Sequence, residues 1–440
     1  CKFANLPICK LVNGDIRSMI MTKLTIKLYF LFLLVIGIAC TPKLTSRFAG
    51  KVDFEALPEA YDAPAVARLK NNCNDYEAYI PDTTHLDHTP VKYVRINVHW
   101  VNNEDSSANF VGEEAIEFTK LLLHASNYNL IGNKKLLLPH GNDLPVLPIQ
   151  YRLVLAPRPG HPDDNGIYFH FDDALCYYVH KGKNANLGNK RVVQKYGVQL
   201  DTVLNVFIMP HHPDSIASKT YSAGIVGVML GNAVKLAGPF ENLHLTAWSS
   251  RGALNHEVCH VFGLGHAWVQ DGCDDTPLHS QACFNVTDRP GCDTMTSNNI
   301  MDYNFAQHAW SPCQIGKIYQ RMSQENAPAR KYLQPNWCEL HDDRHIVIRD
   351  TVVWRGAKDL EGHLTIVPGG HLTIQCRVSL PKAAKLTLEP GAVLVLGNDA
   401  RLHNACGDPW QGIEIQSLNK QSGKIIRIGN PKIENTPLGF

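Results

Sequence analysis

The sequence of 440 residues contains no apolar run long enough to cross a membrane as a helix. Such a span needs about 20 consecutive apolar residues. The longest candidate here, Leu28 to Ala39, falls short of that. An excess of charge is also missing: Lys and Arg total 42, Asp and Glu total 41, and the formal net charge is +1. That balance argues against a nucleic-acid partner or a polybasic membrane surface. Residues 41–90 lack sustained hydrophobic periodicity and are interrupted by prolines, so they read as a linker or short pro-segment.

What the chain has instead is cysteine. Thirteen of them favour an oxidising compartment. The chain opens on Cys1, so residues 1–20 are expected to be upstream untranslated or fragment sequence, with Met19 or Met21 as initiator. From Met21 the order is basic residues, a short apolar core and a small residue before Cys40, the layout of a signal peptide over 21–40. Ile38-Ala39-Cys40 resembles a bacterial lipobox, which makes Cys40 a candidate for lipidation and membrane attachment. The expectation is an exported protein, extracellular or at the cell surface, as an outer-membrane lipoprotein would be.

The stretch His256-Glu257-Val258-Cys259-His260-Val261-Phe262-Gly263-Leu264-Gly265-His266 carries the chemistry. On a helix, His256 and His260 are four residues apart and point from one face, so they can grip one metal ion. Glu257 stands beside the first ligand as a general base toward a water. Gly263 can take a left-handed backbone conformation, ending the helix and turning His266 back as a third nitrogen ligand. Three histidines with an open position describe a catalytic Zn2+ site.

The motif HExxHxxGxxH resembles that of the metzincin metallopeptidases, which also carry a methionine turn. Asn298-Asn299-Ile300-Met301-Asp302-Tyr303 follows at a suitable distance, and with Asp271 to Pro277 and Cys313…Gly316…Arg321-Met322 it is similar to the pappalysin branch. The resemblance implies that Met301 forms a hydrophobic base beneath the metal ligands and that Tyr303 stabilises the tetrahedral intermediate. Two departures stand out. Cys259 occupies a position where pappalysins usually have glycine. Asn304-Phe305-Ala306-Gln307-His308 replaces an acidic residue that favours basic side chains in the substrate pocket, so cleavage before Arg or Lys does not carry over.

The chain becomes globular at Val91. Tyr93–Trp100, Tyr151–Leu155 and Val203–Ile208 read as strands, and residues 112–128 have helical spacing. The Gly/Ala-rich run Ser222 to Gly238 is a candidate edge strand lining a substrate cleft. Ser249 or Ser250 is a candidate cap for the metal helix. His211 and His212 read as loop residues. After Gly265 regular pattern fades and cysteines gather; Cys273, Cys283, Cys292, Cys313 and Cys338 are expected to include disulfides. Cys73 is expected in a disulfide or as an idle thiol, with occupation of the zinc in a latent form as the alternative. Asp271, Asp274 and Asp275 are candidate ligands for Ca2+, with carboxylates capping turns as the plainer alternative.

From about residue 341 the composition changes again. Leu364-Thr365-Ile366-Val367-Pro368-Gly369 recurs as Leu386-Thr387-Leu388-Glu389-Pro390-Gly391, an offset of 22 residues. This period suggests coils of a partial parallel β-helix, with a β-sandwich as the competing fold. The expected fold class is therefore α+β. A metzincin-type zinc-peptidase domain over 91–340 would have a mixed twisted sheet, helices and an irregular lower subdomain. An all-β region over 341–440 would follow, continuing beyond Phe440. The expected function is a secreted or surface-anchored zinc endopeptidase acting on a protein or peptide substrate. The alternative is a surface-binding protein whose β-solenoid engages polysaccharide or a protein partner.

Overall fold

The computed structural model describes residues 43–50, 53–56, 73–105, 107, 109–179, 186–219, 221, 223–241, 247–280, 297–304 and 306–437. The signal-like segment with Cys40, and the cysteines Cys283 and Cys292, lie outside these residues. The architecture is a mixture of helices and several sheets. Two short strands come first, β1 (Thr45–Phe48) and β2 (Phe54–Ala56). The zinc-motif half is then built on a sheet of β3 (Lys92–Asn102), β4 (Tyr151–Leu155), β5 (Ile167–Phe171), β6 (Leu204–Met209), β7 (Val226–Met229) and β8 (Ala233–Ala237).

β3 is the central strand. It pairs in parallel with β4 along its first half, with β5 along its second, and with β6 on the other side. Its outer half alternates between buried and part-buried residues, whereas its inner half is buried throughout, because both faces are covered there. The order continues through β8 to β7, which runs antiparallel to β8 and ends the sheet.

Helix α1 (Gly112–Ile131) and helix α2 (Ala247–Val261) pack together on one face, where Asn255 donates to the Ser126 carbonyl at 3.2 Å. Asn127 of α1 ties the β4 edge by two bonds to the Leu153 backbone, at 2.9 and 2.8 Å. Between helix and sheet, Trp100 meets Phe110, Phe118 and Phe240, and its indole N–H donates to Thr119 Oγ1 at 2.9 Å. The opposite face is covered by a second apolar cluster around Phe207, Met209, Tyr178 and Val192. Ser249 and Ser250, expected to cap α2, lie inside it. The helix runs on upstream, and Trp248 there packs against Tyr128 and His124 of α1.

The C-terminal part has three sheets of parallel strands. In one, Ile346–Ile348, Leu364–Ile366, Lys385–Leu388 and Gly412–Leu418 lie side by side. Leu364 faces Leu386 in register, which is the repeat offset of 22 residues. Buried residues stack along the ladder as Ile346, Leu364, Leu386 and Ile413. The second sheet repeats this with Val352, Leu372, Leu394 and Ile425, and the third takes Lys358–Asp359, Arg377–Ser379, Arg401–His403 and Lys432–Ile433.

Part of residues 41–90, read above as linker or pro-segment, is built into this body. β1 pairs antiparallel with Gly412–Leu418, and β2 pairs in parallel with Lys424–Arg427. Cys73 is joined to Cys376 by a disulfide, which removes its thiolate from any role at the zinc motif. Further disulfides join Cys273 to Cys313 and Cys338 to Cys406. Asp359 fastens the two halves: it bonds Arg330 at 2.7 and 2.9 Å and Arg377 at 2.7 Å, while Lys92 donates to its carbonyl at 3.2 Å.

Candidate metal centre

Helix α2 presents His256 and His260 one turn apart, and the chain must then reverse to bring His266 to them. Gly263 makes that reversal at φ +84°. Its N–H bonds the His260 carbonyl at 2.9 Å and the Leu264 N–H bonds the Cys259 carbonyl at 3.1 Å, which is a Schellman ending. A side chain other than hydrogen would be strained at that φ.

The three imidazoles converge. His260 Nε2 lies 3.1 Å from His256 Nε2 and 3.1 Å from His266 Nε2. The other ring nitrogens fix the tautomers, since a carbonyl can only accept: His256 Nδ1–H donates to the Ile300 carbonyl at 2.7 Å and His260 Nδ1–H to the Leu264 carbonyl at 2.8 Å. The facing Nε2 atoms of His256 and His260 therefore present lone pairs to each other with no proton between them. A cation between them relieves that repulsion. Protonation does not, because burial pushes His256 down to about 3 and His266 down to about 4. Nitrogens bound tetrahedrally to zinc at about 2.0–2.1 Å stand roughly 3.3 Å apart. The spacing and the donor set fit Zn2+.

Glu257 is almost fully buried and lies against the edge strand. It accepts a backbone hydrogen bond from Met229 of β7, and burial pushes its carboxyl up to about 8. A neighbouring dication acts in the opposite direction. Gly227 of β7 makes the space: a Cβ there would stand 2.6 Å from Glu257 Cγ and 2.9 Å from Leu236 Cδ2. The expected edge strand is thus present, and its outer side has no partner strand among the described residues.

Met301 is fully buried in the core, and its carbonyl accepts from the N–H of Ala267, the neighbour of His266, at 2.9 Å. The turn around it is held from within, with Met301 N donating to Asn299 Oδ1 at 2.8 Å. Asp302 is fully buried and paired with His279 at 2.5 Å. Tyr303 is 43% exposed, with its ring centroid 5.2 Å from that of His266 and 5.8 Å from that of His256. Gln307, in the segment that departs from the pappalysin pattern, lies behind His256: its amide donates to the Asp302 carbonyl at 2.7 Å and the Ile300 carbonyl at 3.4 Å.

Trp268 and Gly227 are site residues that sequence reasoning passed over. Trp268 stacks on His266 at 4.0 Å and 12° and also meets Tyr303 at 4.5 Å. Its place two residues after the last histidine was the available signal. Cys259 is a buried thiol turned into the core, where Trp310 Nε1 donates to its sulfur at 3.2 Å. His211 is buried, bonding Tyr221 Oη at 2.5 Å and the Gly224 carbonyl at 2.9 Å, so it braces the approach to β7.

Asp271, Asp274 and Asp275 do not form one cluster of ligand atoms among the described residues. Asp271 accepts from Cys273 N and from Thr276 Oγ1, all at 2.9 Å. Asp275 accepts from Cys313 N at 2.9 Å, and Asp274 is exposed.

No protein-family model matches the chain. No curated protein matches it either. Among solved structures the chain is similar to mature mirolysin of Tannerella forsythia in complex with a cleaved peptide, at 15% identity and a TM-score of 0.37, over 57% of this chain and 96% of that one. It is likewise similar to mirolysin in complex with compound 9, at 17% identity and a TM-score of 0.37, over 56% of this chain and 96% of that one.

Proposed function

We propose that this chain is a zinc-dependent endopeptidase of the metzincin type, similar to the pappalysins in its methionine turn. The observation that carries the reading is the convergence of three histidine nitrogens, with His260 Nε2 3.1 Å from each of the other two, and a buried glutamate between them and an open sheet edge.

Zinc bound there supplies a Lewis acid and lowers the pKa of water at the open position. The rest is done by the chain. The Ile300 and Leu264 carbonyls hold the ligating tautomers, and Trp268 holds the His266 ring. The outer edge of β7 offers backbone N–H and C=O groups that can take an extended peptide as an added strand, beside Glu257. The Glu257 carboxylate accepts the proton of the attacking water and returns it to the leaving amine. The Tyr303 hydroxyl donates to the developing oxyanion.

The signal-like layout before Cys40 and the disulfides support an exported protein, with the Cys40 thiol as lipid anchor. The three parallel sheets, joined in rotation with buried ladders, support reading the C-terminal part as coils of a parallel β-helix, whose outer surface is the place for a polysaccharide or protein partner. Ca2+ held by Asp271, Asp274 and Asp275 belongs to the same proposal, although the backbone bonds of Asp271 and Asp275 support the alternative of carboxylates capping turns.

The test is the Glu257→Ala variant, assayed for zinc content and for chelator-sensitive cleavage of casein. Full zinc with turnover reduced by roughly 10²–10⁴-fold is expected. Full activity in that variant, or a wild type that binds no zinc, overturns the reading.

A further inference from the structure

A cavity of about 360 Å³ lies at the junction of the two halves, away from the histidines. Its walls come from residues 77–92, the end of the helix Pro312–Ser323, and residues 352–359. That volume is within the roughly 300–1,000 Å³ range of small-molecule pockets.

The polar atoms around it are not in balance. The Trp354 indole is buried, and its Nε1–H has no acceptor; His88 is buried, and its Nδ1 has no partner. Both residues are less than a tenth exposed, at 2% and 4%. Native proteins rarely leave such groups unpaired, because each has lost its bonds to water with nothing in return. The Lys358 ammonium donates to the His88 carbonyl at 3.0 Å and to Thr89 Oγ1 at 3.1 Å, both neutral oxygens, which leaves one N–H over. Among the described residues it makes no ion pair, and it stands 5.5 Å from the Trp354 ring centroid.

Two of the carboxylates that line the cavity are committed to other partners, and Glu77 lines it as well. Asp359 is held by Arg330 and Arg377, and Asp82 by Thr84 and His85 at 2.6 and 2.7 Å. At the junction Arg330, Arg377 and Lys92 face Asp359 and Glu361, with Glu325 acting on Arg377, while of the carboxylates only Asp82 acts on Lys358, from a distance. The His85 and His88 rings stack at 4.9 Å, and His88 meets Trp354 edge-on at 5.8 Å, so one wall is flat and aromatic.

We propose that this cavity binds a small organic monocarboxylate, its charge on Lys358 Nζ and Trp354 Nε1–H and its flat apolar body against the His88 and Trp354 rings. Two spare donors, one of them charged, match the two oxygens of one carboxylate rather than a phosphate with its three acceptor oxygens and higher charge. The inference does not depend on the peptidase reading.

The test uses the zinc-loaded full chain, titrated by calorimetry and tryptophan fluorescence with benzoate and with its neutral isostere benzamide. Benzoate should bind at one site and quench fluorescence, with benzamide at least about tenfold weaker, the cost of an unmatched buried charge. Lys358→Met should abolish the preference for benzoate, and Trp354→Phe, which keeps a ring and removes the N–H, should weaken benzoate several-fold. Equal binding of the two probes, no binding at millimolar concentration, or benzoate affinity unchanged in Lys358→Met overturns the proposal. Persistence in that variant places the anion at the histidines instead. Should Lys358→Met fail to fold by circular dichroism, Trp354→Phe and the benzoate–benzamide comparison decide the outcome.

Discussion

The side-chain amides of Asn299 and Gln314 bond each other twice, at 3.1 and 3.0 Å, joining the methionine turn to the helix Pro312–Ser323. The same two oxygens do further work. Asn299 Oδ1 accepts from Met301 N, and Gln314 Oε1 accepts from Ser311 N in a capping box. The turn that orients His256 through the Ile300 carbonyl is therefore braced from outside the metal centre. Gln314→Leu should cost roughly 2–4 kcal/mol, since two buried groups lose their partners. Denaturant unfolding measures that cost. Faster loss of zinc to a chelator should accompany it, and unchanged zinc retention would show that the turn holds His256 without this brace.

Gly227→Ala isolates the position of Glu257, the proposed general base. The added methyl would press on Glu257 Cγ and Leu236 Cδ2 from β7. Displacing a reacting group by about 1 Å can cost on the order of 10²-fold in rate. Casein turnover should fall by about that factor, with zinc content close to wild type.

The His279–Asp302 pair sets a pH window. The bond to Asp302 raises His279 above its ordinary value, so its contribution is full below about pH 6.5 and is lost as pH rises through the raised folded value. Burial works to raise Asp302, but His279's hydrogen bond and charge outweigh it, and the carboxyl ends lowered. That contribution is present above about pH 4 and is lost as pH falls through the lowered folded value. The stability difference between wild type and His279→Gln should therefore be largest near about pH 5 and shrink toward about pH 9. A difference constant over that range would exclude the pair as its source.

Asp359 is a buried anion shared by Arg330 and Arg377 across the junction. Burial acts to raise its carboxyl, yet Arg377, Arg330 and Lys92 hold it far below the usual carboxylate range. Asp359→Leu leaves those cations uncompensated and should destabilise by about 3–5 kcal/mol. In calorimetry the two halves should then melt as separate transitions; a single wild-type transition would show that the junction is held elsewhere.

The convergence of the three histidines was legible because helix geometry alone aligns His256 with His260, and Gly263 can make the reversal that His266 requires. The repeat was legible for a similar reason, as Leu364 and Leu386 must stack if the ladder is to bury them. Gly227 was not, because it reaches Glu257 only through the pairing of β7 with β8. The strand β1 was invisible: its four residues are all exposed and carry no alternation, and only its partner makes it a strand. Asn304 to His308 was read for what it replaced. Gln307 turned out to support the backbone behind His256, a role that depends on the fold of the whole turn.

The pairing of β1 with Gly412–Leu418 has a consequence for how this chain comes into being. Thr45 and Ser417 are 372 residues apart. At roughly 5–20 residues per second of synthesis, the early strand waits about 20–75 s for its partner to be made. Through that interval its unpaired edge is open to other chains. The early strand β1 is closed only by a segment made much later, so a truncation before Leu418 leaves that edge open.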